Sequence, residues 1–415
     1  MLRKLIIIIL IILNLNYIYS FADEEDIEGF MQEDIWEEIK EVSSKENKNI
    51  PVLNSKSAII FDRTSKKIIF EKNANEKRAM ASTTKIMTAI LTIEKGNLEE
   101  IVEVSQKAAS IHGSRLGLKK GDKIKLEDLL YGLLLKSGND AAMQIAISIS
   151  GSIENFAEMM NEKAEELGLK NTHFVTPHGL DNSNHYTTAY ELAILTDYAL
   201  NIPEFAKIVN TKQYTIQINS TPVLITNTNE LLGNLNGVNG VKTGFTNLAG
   251  RCLVTSCVRD NWQIITIVLG ADSKKSRTKD SISLIEYNYK NFTRINIKER
   301  IKKVFADWKE SNEKNIDIIK GKKCNIETDM NYTYDFELYP VHKEEEKNIT
   351  IQIECKDKLE APIKDKLEIG KIHVIHDSKE IMSIPIITKG KIEKKSVLDY
   401  FIYLIGKQFW IIQNA

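Results

Sequence analysis

Along the chain the apolar positions change period several times, and each change marks an element. The first run, LIIIILIIL at residues 5–13, follows Arg3 and Lys4 and leads to the small residues Ser20 and Ala22. That is the layout of a secretory leader over residues 1–22, shorter than the about 20 apolar residues of a membrane span. Residues 23–50 form an acidic lead that predicts a solvated segment outside any core. Two β-rich runs, Ser57–Asp62 and Lys67–Lys72, flank a polar turn at Arg63 to Lys66 and predict short strands. Then Ile86, Ala89, Ile90 and Ile93 recur at i, i+3, i+4 and i+7, a helical stripe that stops at Gly96-Asn97.

Helical patterning continues to about residue 200. LEDLLYGLLL (126–135) is densely apolar, breaks at Lys136-Ser137-Gly138-Asn139, and resumes after Asp140 as AAMQIAISIS. From about residue 213 the pattern becomes strand-like, with GVNGVKTGF, RCLVTSCV and WQIITIVLG before a closing helix at SISLIEYNY (281–289). Residues 51–292 therefore predict an α/β domain: an antiparallel sheet packed by helices, with an all-helical subregion. Over 293–388, NITIQIEC, KIHVIHD and MSIPIIT alternate with period two and predict a small all-β domain.

The tail, residues 392–415, returns to helical spacing. Leu398, Phe401, Ile402, Ile405, Phe409 and Ile412 share one face, Lys394 and Lys395 precede them, and Asp399 and Lys407 interrupt the run. An amphipathic helix in a membrane interface fits, with Tyr403 and Trp410 suited to that depth; a helix docked on the protein's own core is the alternative. Leader and tail together place the body of the protein outside the cell, at the outer face of the cytoplasmic membrane.

Composition adds exclusions. The formal net charge is −1, which gives no polyelectrolyte footprint and argues against a nucleic-acid partner. The four cysteines, Cys252, Cys257, Cys324 and Cys355, make neither a disulfide framework nor a metal motif, and are expected to be packing residues. His373 and His376 have an H-x-x-H look, but on a strand they face opposite sides, so no metal is expected there.

The chemistry lies in three short motifs. Ser82 and Lys85 stand one turn apart at the head of the apolar helix, so the amine can reach the hydroxyl. Serine becomes a nucleophile only when a base takes its proton. A lysine serves as that base once burial or a second cation favours its neutral form. Two further S-x-x-K matches, Ser276/Lys279 and Ser311/Lys314, have no such company. The first is followed by Ser137-Gly138-Asn139 at a break between helices and by Lys242-Thr243-Gly244 in a strand. A glycine within a strand is costly unless something approaches the backbone closely.

In this order, with ASTTKIMTA, LLLKSGNDAA, FVTPHGLDN and GVNGVKTGFTNLAG around them, the motifs resemble those of the serine D-Ala-D-Ala carboxypeptidases. These are the low-molecular-weight penicillin-binding proteins, whose catalytic domain is transpeptidase-like. The likeness covers residues 52–290, and extends more weakly to the β-rich region and the tail. It implies Ser82 as the nucleophile, Lys85 as its base, and Ser137 as a proton relay. Asn139 would hold the substrate backbone, Lys242 would be the second cation, and Thr243 would bind the carboxylate. The N–H groups of Ser82 and Phe245 would form the oxyanion hole, and Arg277 would bind the terminal carboxylate. The implied partners are peptidoglycan stem peptides as substrate and β-lactams as inhibitors, with no cofactor or metal. His178 is read as shaping the loop beside the cleft. A β-lactamase is the competing enzyme, yet YELAIL, with Glu191, holds no E-x-x-L-N motif; an idle wall-binding protein is the competing non-enzyme.

Overall fold

The computed structural model describes residues 50–402 together with Glu37, Lys40 and Ile405. The leader, nearly all of the acidic lead and the distal tail, including Tyr403, Phe409, Trp410 and Ile412, lie outside the described residues. The chain divides into two compact units between Asn291 and Phe292.

The strands of the first unit are β1 (Ser57–Asp62), β2 (Ile68–Lys72), β3 (Ile101–Glu103), β4 (Lys123–Lys125), β5 (Gln213–Ile218), β6 (Thr221–Thr226), β7 (Val238–Thr246), β8 (Gly250–Arg259) and β9 (Trp262–Ala271). Its main helices are α1 (Lys85–Lys95), α2 (Leu126–Leu135), α3 (Asn139–Ser150), α4 (Ile153–Glu166), α5 (Ala189–Leu200), α6 (Pro203–Val209) and α7 (Lys274–Asn291). Five strands form an antiparallel sheet in the order β2-β1-β9-β8-β7. All six residues of β1 are buried, as are nearly all of β9, so both faces of the sheet are covered. Helices α5 and α7 supply much of that cover. The other four strands make a small separate sheet, β3-β4-β5-β6.

The helical stripe read from the sequence is the inner face of α1. Ile86, Ala89 and Ile90 are fully buried in one cluster with Leu129, Leu130, Leu133 and Leu134 of α2 and Ile145 of α3. Burying each large aliphatic side chain contributes about 1.5–3 kcal/mol. That packing fixes the helix end carrying Lys85 against the one carrying Asn139. The edge strand β7 carries Lys242, Thr243 and Gly244 along the same helical layer.

The second unit contains β10 (Phe292–Asn296), β11 (Asp317–Ile319), β12 (Glu327–Met330), β13 (Leu338–His342), β14 (Ile349–Cys355), β15 (Lys358–Glu360), β16 (Glu368–His376) and β17 (Lys379–Lys389). Four of them form an antiparallel sheet, β12-β17-β16-β14. Along β17, Met382, Ile384, Ile386 and Thr388 are buried in strict alternation, the period-two signal of the sequence. The unit also holds one helix that the sequence reading did not single out: α8 (Ile297–Asn312) follows β10 and buries Ile297, Ile301 and Phe305. Its apolar residues are few among many lysines and glutamates, so composition masks the stripe. None of the four cysteines forms a disulfide, and Cys324 is exposed, which corrects its reading as a packing residue. Among the described residues no helix is long and apolar enough to cross a membrane.

Candidate active site

Ser82 does not lie in the α-helix itself. It sits in a 3-10 turn, Ala81–Thr84, that runs directly into α1 at Lys85. With three residues per turn, positions i and i+3 eclipse, and this places the two side chains in line. Lys85 is fully buried, and its Nζ donates to Ser82 Oγ at 2.8 Å, Asn139 Oδ1 at 2.8 Å and the His178 carbonyl at 3.0 Å. The Asn139 amide is oriented by its Nδ2, which donates to the His112 carbonyl at 2.8 Å. Asn139 Oδ1 and the His178 carbonyl can only accept. A neutral Lys85 would spend its two N–H groups on them and turn its lone pair toward the Ser82 hydroxyl. The arrangement is thus able to reverse one hydrogen bond and deprotonate Ser82.

Strand β7 passes close beside Ser82. A Cβ on Gly244 would lie 3.1 Å from the Ser82 nitrogen and 3.2 Å from Ala81 Cβ. The glycine in this strand is therefore explained by the approach of the Ser82 turn. Lys242 Nζ donates to the Thr243 carbonyl at 2.9 Å, and the Thr243 and Thr228 hydroxyls share a hydrogen bond of 2.8 Å. Lys242 and Thr243 are both buried, and Phe245, half-buried, lies under the Arg251 guanidinium at 3.8 Å from its ring centre. Ser137 is buried with a left-handed φ of 62°.

Arg277 is placed differently. It lies in α7, is 2% exposed, and forms an ion pair with Glu230, whose Oε1 also accepts from the Thr278 hydroxyl at 2.5 Å. Burial pushes the Glu230 carboxyl up, but Arg277 and the Thr278 hydroxyl outweigh it and hold the group below its usual range. The Arg277 guanidinium is thus engaged by a carboxylate of the segment before β7.

A family model described as D-alanyl-D-alanine carboxypeptidase matches residues 43–273. The chain belongs to this family. A second model, the penicillin-binding protein 5 C-terminal domain, matches residues 303–394. The D-alanyl-D-alanine carboxypeptidase DacF of Bacillus subtilis is 32% identical over 358 residues, 85% of this chain and 89% of the relative. DacD of Escherichia coli is also 32% identical, over 85% of this chain and 91% of its own. Among solved structures, the carboxypeptidase DacD from Francisella tularensis aligns with a TM-score of 0.68 at 26% identity, covering 84% of this chain and 97% of that one. Penicillin-binding protein 5 from Haemophilus influenzae aligns with a TM-score of 0.67 at 27% identity, covering 83% and 99%. This member of the D-alanyl-D-alanine carboxypeptidase family is accordingly a serine hydrolase, built on the antiparallel sheet, helical layer and β-rich second unit expected.

Several groups that hold the site carried no sequence signal of their own. His185 Nδ1 accepts from the Val175 N–H at 2.9 Å, so its Nε2 carries the proton and donates to Thr84 Oγ1 at 2.7 Å. Thr84 in turn donates to the Ala81 carbonyl at 2.8 Å, in the turn that holds Ser82. Asp140 accepts from the backbone N–H groups of Leu116, Gly117 and Leu118 at 2.9–3.1 Å. It thereby pins the segment that offers the His112 carbonyl to Asn139. Asp181 accepts from Thr246 Oγ1 at 2.5 Å and from the Leu248 N–H at 3.1 Å, tying the TPHGLDN loop to the end of β7. Two of the chain's seven histidines in one ten-residue stretch, His178 and His185, were the available hint. Glu191 is engaged elsewhere: its carboxylate accepts from the Asn171 N–H at 2.9 Å and the Thr172 hydroxyl at 2.6 Å.

Proposed function

We propose that this enzyme removes the terminal D-Ala from peptidoglycan stem pentapeptides, with Ser82 as the acylated residue. The observation that carries the reading is the buried Lys85 amine, 2.8 Å from Ser82 Oγ and fixed by two obligate acceptors. Ser82 Oγ attacks the carbonyl carbon of the penultimate residue while Lys85 Nζ takes the hydroxyl proton. The backbone N–H groups of Ser82 and Phe245 receive the developing oxyanion. Collapse breaks the C–N bond, and the departing amine of D-Ala takes a proton by way of Ser137. Water then attacks the ester, Lys85 accepts its proton, and Ser82 is regenerated. Lys242 opposes a positive charge on Lys85, Asn139 holds the substrate backbone, and Thr243 binds the terminal carboxylate, joined by Arg277 once it exchanges Glu230 for substrate. The engagement of Glu191 by Asn171 and Thr172 supports a carboxypeptidase over a β-lactamase with a glutamate base.

A β-lactam presents the same acyl group but keeps its leaving amine tethered, which favours a lasting adduct. Penicillin treatment followed by peptide mass spectrometry is expected to show the adduct on Ser82. Ser82→Ala is expected to lose both the adduct and D-Ala release; D-Ala release at the wild-type rate by that variant would end this mechanism. We also propose that the protein is exported through its leader. It would then rest on the outer face of the cytoplasmic membrane through its tail, where Val397, Leu398, Phe401 and Ile402 are 60% or more exposed.

A further inference from the structure

We propose a divalent transition-metal site in the second unit, formed by Glu345, His376 and Asp377. The three residues come from two neighbouring segments. Glu345 lies in the turn that leads into β14, while His376 ends β16 and Asp377 begins the tight turn into β17. The β14–β16 register pairs Ile349 with His376, which brings the two segments side by side at one end of the sheet. The ligand atoms they offer all lie within 4.8 Å of one another.

Two observations separate this cluster from ordinary surface acids. The His376 side chain is 11% exposed, and its Nε2 is closed to solvent without a hydrogen-bond partner. A buried imidazole nitrogen left so is uncommon, and calls for an explanation. That nitrogen is 3.5 Å from Glu345 Oε2 and 3.6 Å from Asp377 Oδ2, too long for good hydrogen bonds. Ligands about 2.1 Å from a tetrahedral zinc ion are about 3.4 Å apart, so both separations fit a cation between the three groups. The second observation is how the ligands are held. Asn348 Nδ2 donates to Asp377 Oδ1 at 3.0 Å, which fixes that carboxylate with its other oxygen toward His376. The Glu345 backbone is fixed on both sides, its N–H to the His342 carbonyl and its carbonyl to the Asn348 N–H.

One imidazole and two carboxylates suit a first-row divalent ion such as zinc, with water completing the shell. A bound ion would pin the turn before β14 to the β16–β17 turn. The sequence hid this site because the tempting pair was His373 and His376. His373 instead faces Glu380 at 2.7 Å and Glu354 at 3.7 Å.

The test is calorimetric titration of zinc chloride into the metal-stripped full chain. One saturable site per chain is expected, weakened on the order of tenfold or more by His376→Gln, Glu345→Gln or Asp377→Asn and unchanged by His373→Gln. Cobalt(II) in place of zinc is expected to give the strong visible absorption of a tetrahedral site, lost in His376→Gln. Thermal melts of the metal-free variants check that each is folded. Absence of saturable binding, binding that survives His376→Gln, or binding lost through His373→Gln would each overturn the proposal.

Discussion

A methyl group at Gly179 would sit 2.0 Å from the Ala81 carbonyl oxygen and 2.6 Å from Thr84 Oγ1, with φ at +87°. No flexible side-chain end is available to yield, because the nearest atom is backbone of the Ser82 turn. Ala81 is itself left-handed at φ 47°, so two such residues are packed together under Ser82. Gly179→Ala is therefore expected to lower stability by about 2–4 kcal/mol, combining left-handed strain with overpacking. It should also slow penicillin acylation by tenfold or more, because Ser82 moves relative to Lys85. A thermal melt and a stopped acylation assay check both. Wild-type acylation in this variant would show that the turn tolerates displacement. The lesson at this scale is that HGL in the loop serves the STTK turn, although nearly a hundred residues separate them.

Short elements do much of the positioning. The 3-10 turn aligns Ser82 with Lys85, the helix break at Ser137 faces inward, and the edge strand β7 brings Lys242 and Thr243 into the same layer. The tail is an element of another kind. Ser396 and Asp399 exchange hydrogen bonds, the Asp399 N–H to Ser396 Oγ at 3.2 Å and the Ser396 N–H to Asp399 Oδ2 at 2.7 Å. That reciprocal cap starts a helix at residue 397, and its Val397, Leu398, Phe401 and Ile402 side chains are exposed. A chain ending at Lys395 is expected to lose co-sedimentation with phospholipid vesicles while keeping its rate of penicillin acylation. Retained vesicle binding would assign membrane contact to another surface.

For the molecule as a whole, two buried histidines set an acid limit. Burial, with the Lys85 amine, His185 and His112 adding to it, lowers the His178 pKa to about 3. Burial and then His173 lower the His185 pKa to about 4. Both accept backbone hydrogen bonds at Nδ1, from Leu180 and Val175, which protonation would break. In the unfolded chain they take up protons near pH 6.5, so below that pH the unfolded state binds more protons than the folded one. Their contribution is complete above about pH 6.5 and is lost as pH falls toward the folded values. Stability at pH 5 is expected to be about 2–4 kcal/mol below that at pH 7. His185→Gln should roughly halve that loss in urea titrations at the two pH values; an unchanged slope would place the effect on other groups.

Much of this protein could be read from its sequence. Strand β1 has the bounds its apolar run predicts, α1 buries the stripe Ile86, Ala89 and Ile90, and β17 alternates as its residues do, because local periodicity reports which face meets a core. Order along the chain also singled out Ser82/Lys85 from two other S-x-x-K pairs, since only that one precedes S-G-N and K-T-G. Distance in sequence hid the rest. The His178 carbonyl on Lys85, the His185–Thr84–Ala81 chain, the Asp181 tether and the Glu230 partner of Arg277 each join segments between 47 and 101 residues apart, apart from Thr84 and Ala81. Periodicity carries no record of such pairs. A buried hydrogen bond between distant segments is settled only when packing removes water and leaves each polar group one partner. Residue types and their order therefore determined the chemistry available, and tertiary packing decided which atoms face one another.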